Sequence, residues 1–130
     1  MTSVEVKFTD NSDKFLRRLD TAEAIVKKFA FDVEGNAKVA IMSGPKSGRR
    51  YGKHTASAPG QAPATDTGNL VNSIQAKKES RFVWSVGVGA KYGKALELGT
   101  RRMAPRPFLL PALMKVEKSF RQAIEVIFRD

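Results

Sequence analysis

From Phe15 to Ile41 the apolar residues Phe15, Leu19, Ala22, Val26, Phe29, Val33, Ala37 and Val39 to Ile41 recur at three- and four-residue steps. That spacing puts them on one face of a single long amphipathic helix. Ser12 suits its N-cap and Gly44-Pro45 its end, while Gly35-Asn36 is a weak point where the helix could bend or break. Before it, Val4, Val6 and Phe8 alternate with Glu5, Lys7 and Thr9, the period of a short half-buried strand. After it, Asp66-Thr67 can cap a short helical turn carrying Leu70, Val71 and Ile74. Two strands are expected around Ile74–Glu79 and Phe82–Val88, joined tightly at Glu79-Ser80-Arg81, with Phe82, Trp84, Val86 and Val88 on one face. Tyr92 to Leu98 suits a short helix stopped by Gly99. Leu109, Leu113, Val116, Phe120, Ala123/Ile124 and Ile127 line one side of a last helix, with Pro111 tolerated in its first turn. The pattern predicts one α+β domain over residues 1–130: a small antiparallel sheet packed against a long N-terminal helix and a C-terminal helix.

Residues 44–66 interrupt this order. They contain four glycines, with Pro45, Pro59 and Pro63, and have no apolar periodicity, the composition of a long mobile loop. Loops beyond ~15 residues are uncommon in compact domains and are usually functional.

Composition removes most chemistry. There is no cysteine and one histidine, His54, which excludes thiol nucleophiles, thiolate metal sites and most catalytic triads. No cofactor is implied and no enzyme is expected. No apolar run approaches the ~20 residues of a membrane span, and the first residues lack a signal-peptide layout, so a soluble protein made in a cytoplasm is expected. Three apparent signatures fail on their own terms. Gly48 to His54 has three residues between its glycines where a phosphate loop needs four, and His54 follows Lys53 where Ser or Thr is required. Gly87-Val88-Gly89 lacks a third glycine, since Tyr92 stands there. Asp66-Thr67-Gly68 has the triplet of an aspartic protease but is preceded by Gln61 to Thr65 in place of a buried strand, so it reads as a helix cap.

The remaining signal is charge. Lys and Arg number 23 against 13 Asp and Glu, a net +10 that favours a polyanionic neighbour. Acids are absent from 35 to 65, where Lys38, Lys46, Arg49, Arg50 and Lys53 fall, and from 98 to 116, where Arg101, Arg102, Arg106 and Lys115 fall. A solvated basic surface and a nucleic-acid contact both fit this distribution.

Two blocks carry a resemblance. Ser57-Ala-Pro59-Gly60-Gln-Ala-Pro63 through Asp66-Thr67-Gly68-Asn-Leu70 to Ser73-Ile74 is the first, and Tyr92-Gly-Lys-Ala-Leu96-Glu97-Leu-Gly99-Thr100 through Arg106-Pro107-Phe108-Leu109 to Ala112 the second. In order and separation they closely resemble the gene-product-ten-like family of lambdoid siphophages, small tailed-phage proteins of head-to-tail joining or tail completion. Gly93 stands where that family often has alanine, and Leu98 where an aromatic is common. The resemblance implies a structural virion protein with no chemistry of its own. Copies would form a ring at the phage neck, in contact with head-closure and tail proteins, and surround the passing genomic DNA without reading its sequence. It implies a place in the virion, and in the bacterial host cytoplasm during assembly, with no membrane partner. The alternative from another class is a free-standing, sequence-nonspecific nucleic-acid-binding protein that uses the loop.

Candidate assembly residues are Tyr92, Glu97, Gly99, Thr100, Arg101, Arg106 and Phe108; candidate DNA or partner contacts are Lys46, Arg49, Arg50 and Lys53. Glu97 lies three residues after Lys94 and four before Arg101, so either a surface ion pair or an intersubunit salt bridge is expected, and its charge reversal is expected to spare the fold. Phe108 reads as a core anchor for the last helix, with Tyr92 beside it.

Overall fold

The computed structural model describes residues 3–5, 12–44, 46–48, 50–51, 54–64, 68–90 and 92–129. The apolar stripe forms one unbroken helix, α1 (Ser12–Ser43), whose 32 residues make a rod of about 48 Å. It runs through Gly35 without a break. At its C-terminal end Gly44 N–H and the Lys46 ammonium both donate to the carbonyl of Ala40, each at 3.0 Å, satisfying an acceptor the helix itself leaves free.

Two short strands follow, β1 (Arg50–Tyr51) and β2 (His54–Thr55), paired antiparallel. A single turn, α2 (Asn69–Asn72), leads into the main hairpin of β3 (Ile74–Ser80) and β4 (Val83–Val88). The short α3 (Gly93–Leu98) and the 20-residue α4 (Leu109–Phe128) complete the chain. This is the expected α+β arrangement. α4 lies antiparallel to α1, as the ring contacts show: Phe15 meets Phe128 at 6.4 Å and Phe29 meets Phe120 edge-on at 5.5 Å.

The core sits at the C-terminal half of α1. Val33, Ala37 and Ile41, four residues apart, close on Leu70 and Val71 of α2, Ile74 of β3, and Phe108 and Ala112 at the start of α4. Phe108, Ile41 and Ile74 are fully buried. Burying a side chain of that size stabilises by about 1.5–3 kcal/mol, so these three anchor the ends of α1, α4 and the hairpin against one another.

The hairpin packs on α1 through Trp84, Val86 and Val88, while Val83, Ser85 and Gly87 face solvent, the alternation expected. Its turn differs by one residue. Lys78 pairs with Trp84 but Ser80 with Val83, so the strands meet through an irregularity and the turn falls at Arg81-Phe82. Arg81 explains the shift, because it reaches back to α1 and donates to Asp20 at 2.6 Å and Glu23 at 2.8 Å. The hydrogen bond from Arg81, and next the one that Lys78 donates at 3.3 Å, hold the Glu23 carboxyl below its ordinary value. Phe82 falls in the turn, just before β4, and its ring lies against the Arg81 guanidinium, with 4.9 Å between that group and the ring centroid.

The N-terminal strand is not seen among the described residues. Residues 3–5 have no regular structure and Val4 is 86% exposed, while Val6 to Phe8 lie outside the described residues. The expected cap at Asp66-Thr67 and the helix stop at Pro45 also fall outside them.

Candidate functional site

Two features stand out from the fold: a basic end, and an apolar groove. The first is built around the turn after α3. Leu98 ends that helix, and Gly99 turns the chain with φ +77°; a Cβ there would lie 2.9 Å from the Met103 carbonyl oxygen. Only glycine is at ease in such a backbone conformation. Thr100 and Met103 then exchange backbone hydrogen bonds of 2.8 and 3.3 Å, leaving Arg101 and Arg102 exposed at the tip.

The loop 46–64 comes to the same end. Gly60 N–H donates to Pro105 C=O at 2.9 Å, so the two acid-free stretches lie side by side. The described part of the loop has more structure than its composition implied. Gly48 N–H bonds the Ala56 carbonyl at 2.8 Å and extends the pairing of β1 with β2. Gln61 acts as a staple: its carbonyl accepts the amides of Ser47 and Ala58, and its NH2 donates to the Ser47 hydroxyl. Ser57 and Pro63 are buried. Lys46 is turned inward to the Ala40 carbonyl, and burial lowers its ammonium below the usual lysine range. It therefore fixes the end of α1. Arg50 is exposed; Arg49 and Lys53 lie outside the described residues.

Among the described residues Glu97 forms no ion pair with Lys94 or Arg101. Its carboxylate accepts three backbone amides at the start of α4, from Phe108 at 2.7 Å, Leu109 at 3.0 Å and Leu110 at 2.9 Å. The first turn of a helix has amides with no partner inside the helix, and the fourth residue here is Pro111, which has none to satisfy. One carboxylate thus completes the N-terminus of α4, and its negative charge sits at the positive end of the helix dipole. Phe108 itself supplies no side-chain cap and is core, so it offers nothing to a neighbouring copy. Arg106 is also drawn inward: its amide donates to Leu96 C=O at 2.6 Å, and its Nε is buried without a partner among the described residues. Of the candidate assembly residues, Tyr92, Thr100 and Arg101 are the exposed ones.

The second feature had no counterpart in the sequence pattern. Between α4 and the hairpin, with α1 as floor, runs a groove of about 470 Å³, lined by Val26, Val33, Trp84, Val86, Leu113 and Val116 among others. A further hollow of about 440 Å³, bounded by Leu19, Phe82, Ile124 and Phe128, continues it, since Val26 and Phe120 border both. The available signal was the excess of apolar residues on α4, where Leu110, Leu113 and Met114 remain half or more exposed.

Among the described residues no group of three or more His, Cys, Asp or Glu could hold a metal ion, and no helix is long and apolar enough to cross a membrane. The model of the family described as "Bacteriophage HK97-gp10, putative tail-component" matches residues 7–99. No curated protein and no solved structure matched the chain.

Proposed function

The chain belongs to the HK97-gp10-like family of phage tail components, and on that premise we propose that it is a structural protein of the head–tail junction, where copies form a ring around the DNA channel. The observation that carries this reading is the family match over residues 7–99, which takes in α1, the loop, the hairpin and α3. A closed ring is built from heterologous contacts, one patch of each subunit on a different patch of the next. Tyr92, Thr100 and Arg101, exposed on either side of α3, are assigned to contacts with neighbours, head-closure proteins or tail proteins.

The basic end supports a role near DNA. Arg101 and Arg102 on a glycine-fixed turn, next to a loop without acids, give a locally uncompensated positive surface, which attracts phosphate without reading bases. The same observation favours the second reading, a sequence-nonspecific nucleic-acid-binding protein. The two part on where the protein goes. In a phage that carries this gene, antibody labelling of purified virions is expected to mark the head–tail junction. Deleting the gene is expected to leave filled heads and finished tails unjoined. Particles that join normally without the protein overturn the reading.

A further inference from the structure

The hairpin has an open side that borders the groove. Gly89 N–H donates to the Ser73 carbonyl at 2.9 Å, which fixes the alternation of the antiparallel ladder. Counting two residues at a time, Gln75 with Gly87 and Lys77 with Ser85 bond each other, whereas the pairs Ala76 with Val86 and Lys78 with Trp84 turn their N–H and C=O groups outward. The outward amide of Ala76 is taken by the Glu34 carboxylate of α1 at 3.2 Å. Among the described residues nothing bonds the outward amides of Trp84 and Val86. From the hairpin, these two residues of β4, and none of β3, line the groove. An unpaired strand edge beside an apolar trough is a template for one more strand.

Such a strand must alternate: every second side chain apolar to enter the groove, the others able to stay in water. The chain carries one segment of that kind outside the hairpin, Val4-Glu5-Val6-Lys7-Phe8. Its described start is not seated in its own groove, because residues 3–5 have no regular structure and Val4 is 86% exposed. Eight residues lie between Ser3 and Ser12, where α1 starts, and the nine steps drawn out span up to about 30 Å. With Val4, Val6 and Phe8 inward, Glu5 and Lys7 would stand over the uncharged Ser85 and Gly87, so neither charge is buried or set against its like.

We infer that residues 4–8 of one copy pair with the outer edge of β4 in a second copy and place Val4, Val6 and Phe8 in the groove between β4 and α4. Donor segment and acceptor groove are different patches, so the contact is heterologous and repeats head to tail. This deepens the ring reading and rests on it for its biological setting, but the pairing is read on purified protein, independently of phage yield.

Two variants of the full chain separate the halves. Val6→Glu with Phe8→Glu disables the donor. Val86→Pro removes an outward N–H and leaves the ladder with β3 intact, since that amide bonds nothing there. In sedimentation velocity the wild type is expected to self-associate as concentration rises, and each variant to do so at least roughly tenfold more weakly. An equimolar mixture of the two is expected to form a dimer and to stop there, because each partner retains only one working end. Should Val86→Pro fail to fold, Trp84, the single tryptophan, reports directly from the groove. Its fluorescence in the donor-disabled chain is expected to change saturably with a peptide of residues 3–9 and not with a scrambled one. A mixture that stays monomeric, variants that associate like the wild type, or a peptide without effect overturns the inference. A donor-disabled chain that is merely less stable at dilutions where every species is a monomer points to pairing within one copy and overturns it as well.

Discussion

Removing the carboxylate of Glu97 strips three amides at the start of α4 of their protein partner at once. Hydrogen bonds to a charged acceptor contribute about 1.5–3 kcal/mol, and loss of a helix cap alone costs about 1 kcal/mol. Glu97→Ala is therefore expected to lower the unfolding free energy by about 2–4 kcal/mol in denaturant titration, with Glu97→Gln in between because one carbonyl oxygen still accepts. Glu97→Arg adds a cation at the positive end of the helix dipole and should cost at least as much as alanine. That reverses the expectation drawn from sequence spacing, under which charge reversal spares the fold. Unchanged stability in Glu97→Ala would show that water satisfies these amides equally well. A loss of phage yield on charge reversal would then report on assembly, whereas a destabilised variant says nothing about a subunit contact.

At the scale of elements, α1 contains an open position at Gly35. A Cβ there meets no atom within 4 Å, and the residue is exposed in an unbroken helix. Alanine in place of glycine in such a position is worth about 0.5–1 kcal/mol, so Gly35→Ala is expected to raise the denaturant midpoint with an unchanged slope. A lower midpoint would mean that the helix needs to bend there. The helices and the hairpin were legible in the sequence because their signals are periodic and local: Val33, Ala37 and Ile41 announce a helix face by spacing alone, as Trp84, Val86 and Val88 announce a strand face. The Glu97 clamp was not legible, because its partners stand 11 to 13 residues away and are backbone amides, which every residue but proline possesses. The turn at Arg81-Phe82 was displaced by an arginine whose acceptors, Asp20 and Glu23, lie some sixty residues earlier. The groove was illegible for another reason: it is a space between α4 and β4, and only the surplus of apolar residues on α4 hints at it.

For the whole molecule, the question is how much of the net +10 is available to a partner. Two of the candidate cations are held by the fold, Lys46 at the end of α1 and Arg106 half-buried against α3. About five phosphate contacts would give a slope of log affinity against log salt near −4 to −5. A single subunit is expected to bind duplex DNA weakly, without sequence preference, and with a shallower slope; Arg101→Ala with Arg102→Ala should reduce that binding while leaving the unfolding midpoint unchanged. Submicromolar binding by an isolated subunit at physiological salt would favour the free-standing nucleic-acid-binding reading. The family match ends at Gly99, two residues past Glu97, and α4 lies wholly beyond it. Because the clamp grips main chain, it demands little of the segment it holds: three free amides, a proline in fourth place that asks for nothing, and one large apolar side chain at 108. The last matched residues thus act as a handle on the main chain that follows, while Ala112, Phe120 and Phe128 hold the length of the C-terminal helix to the rest of the fold.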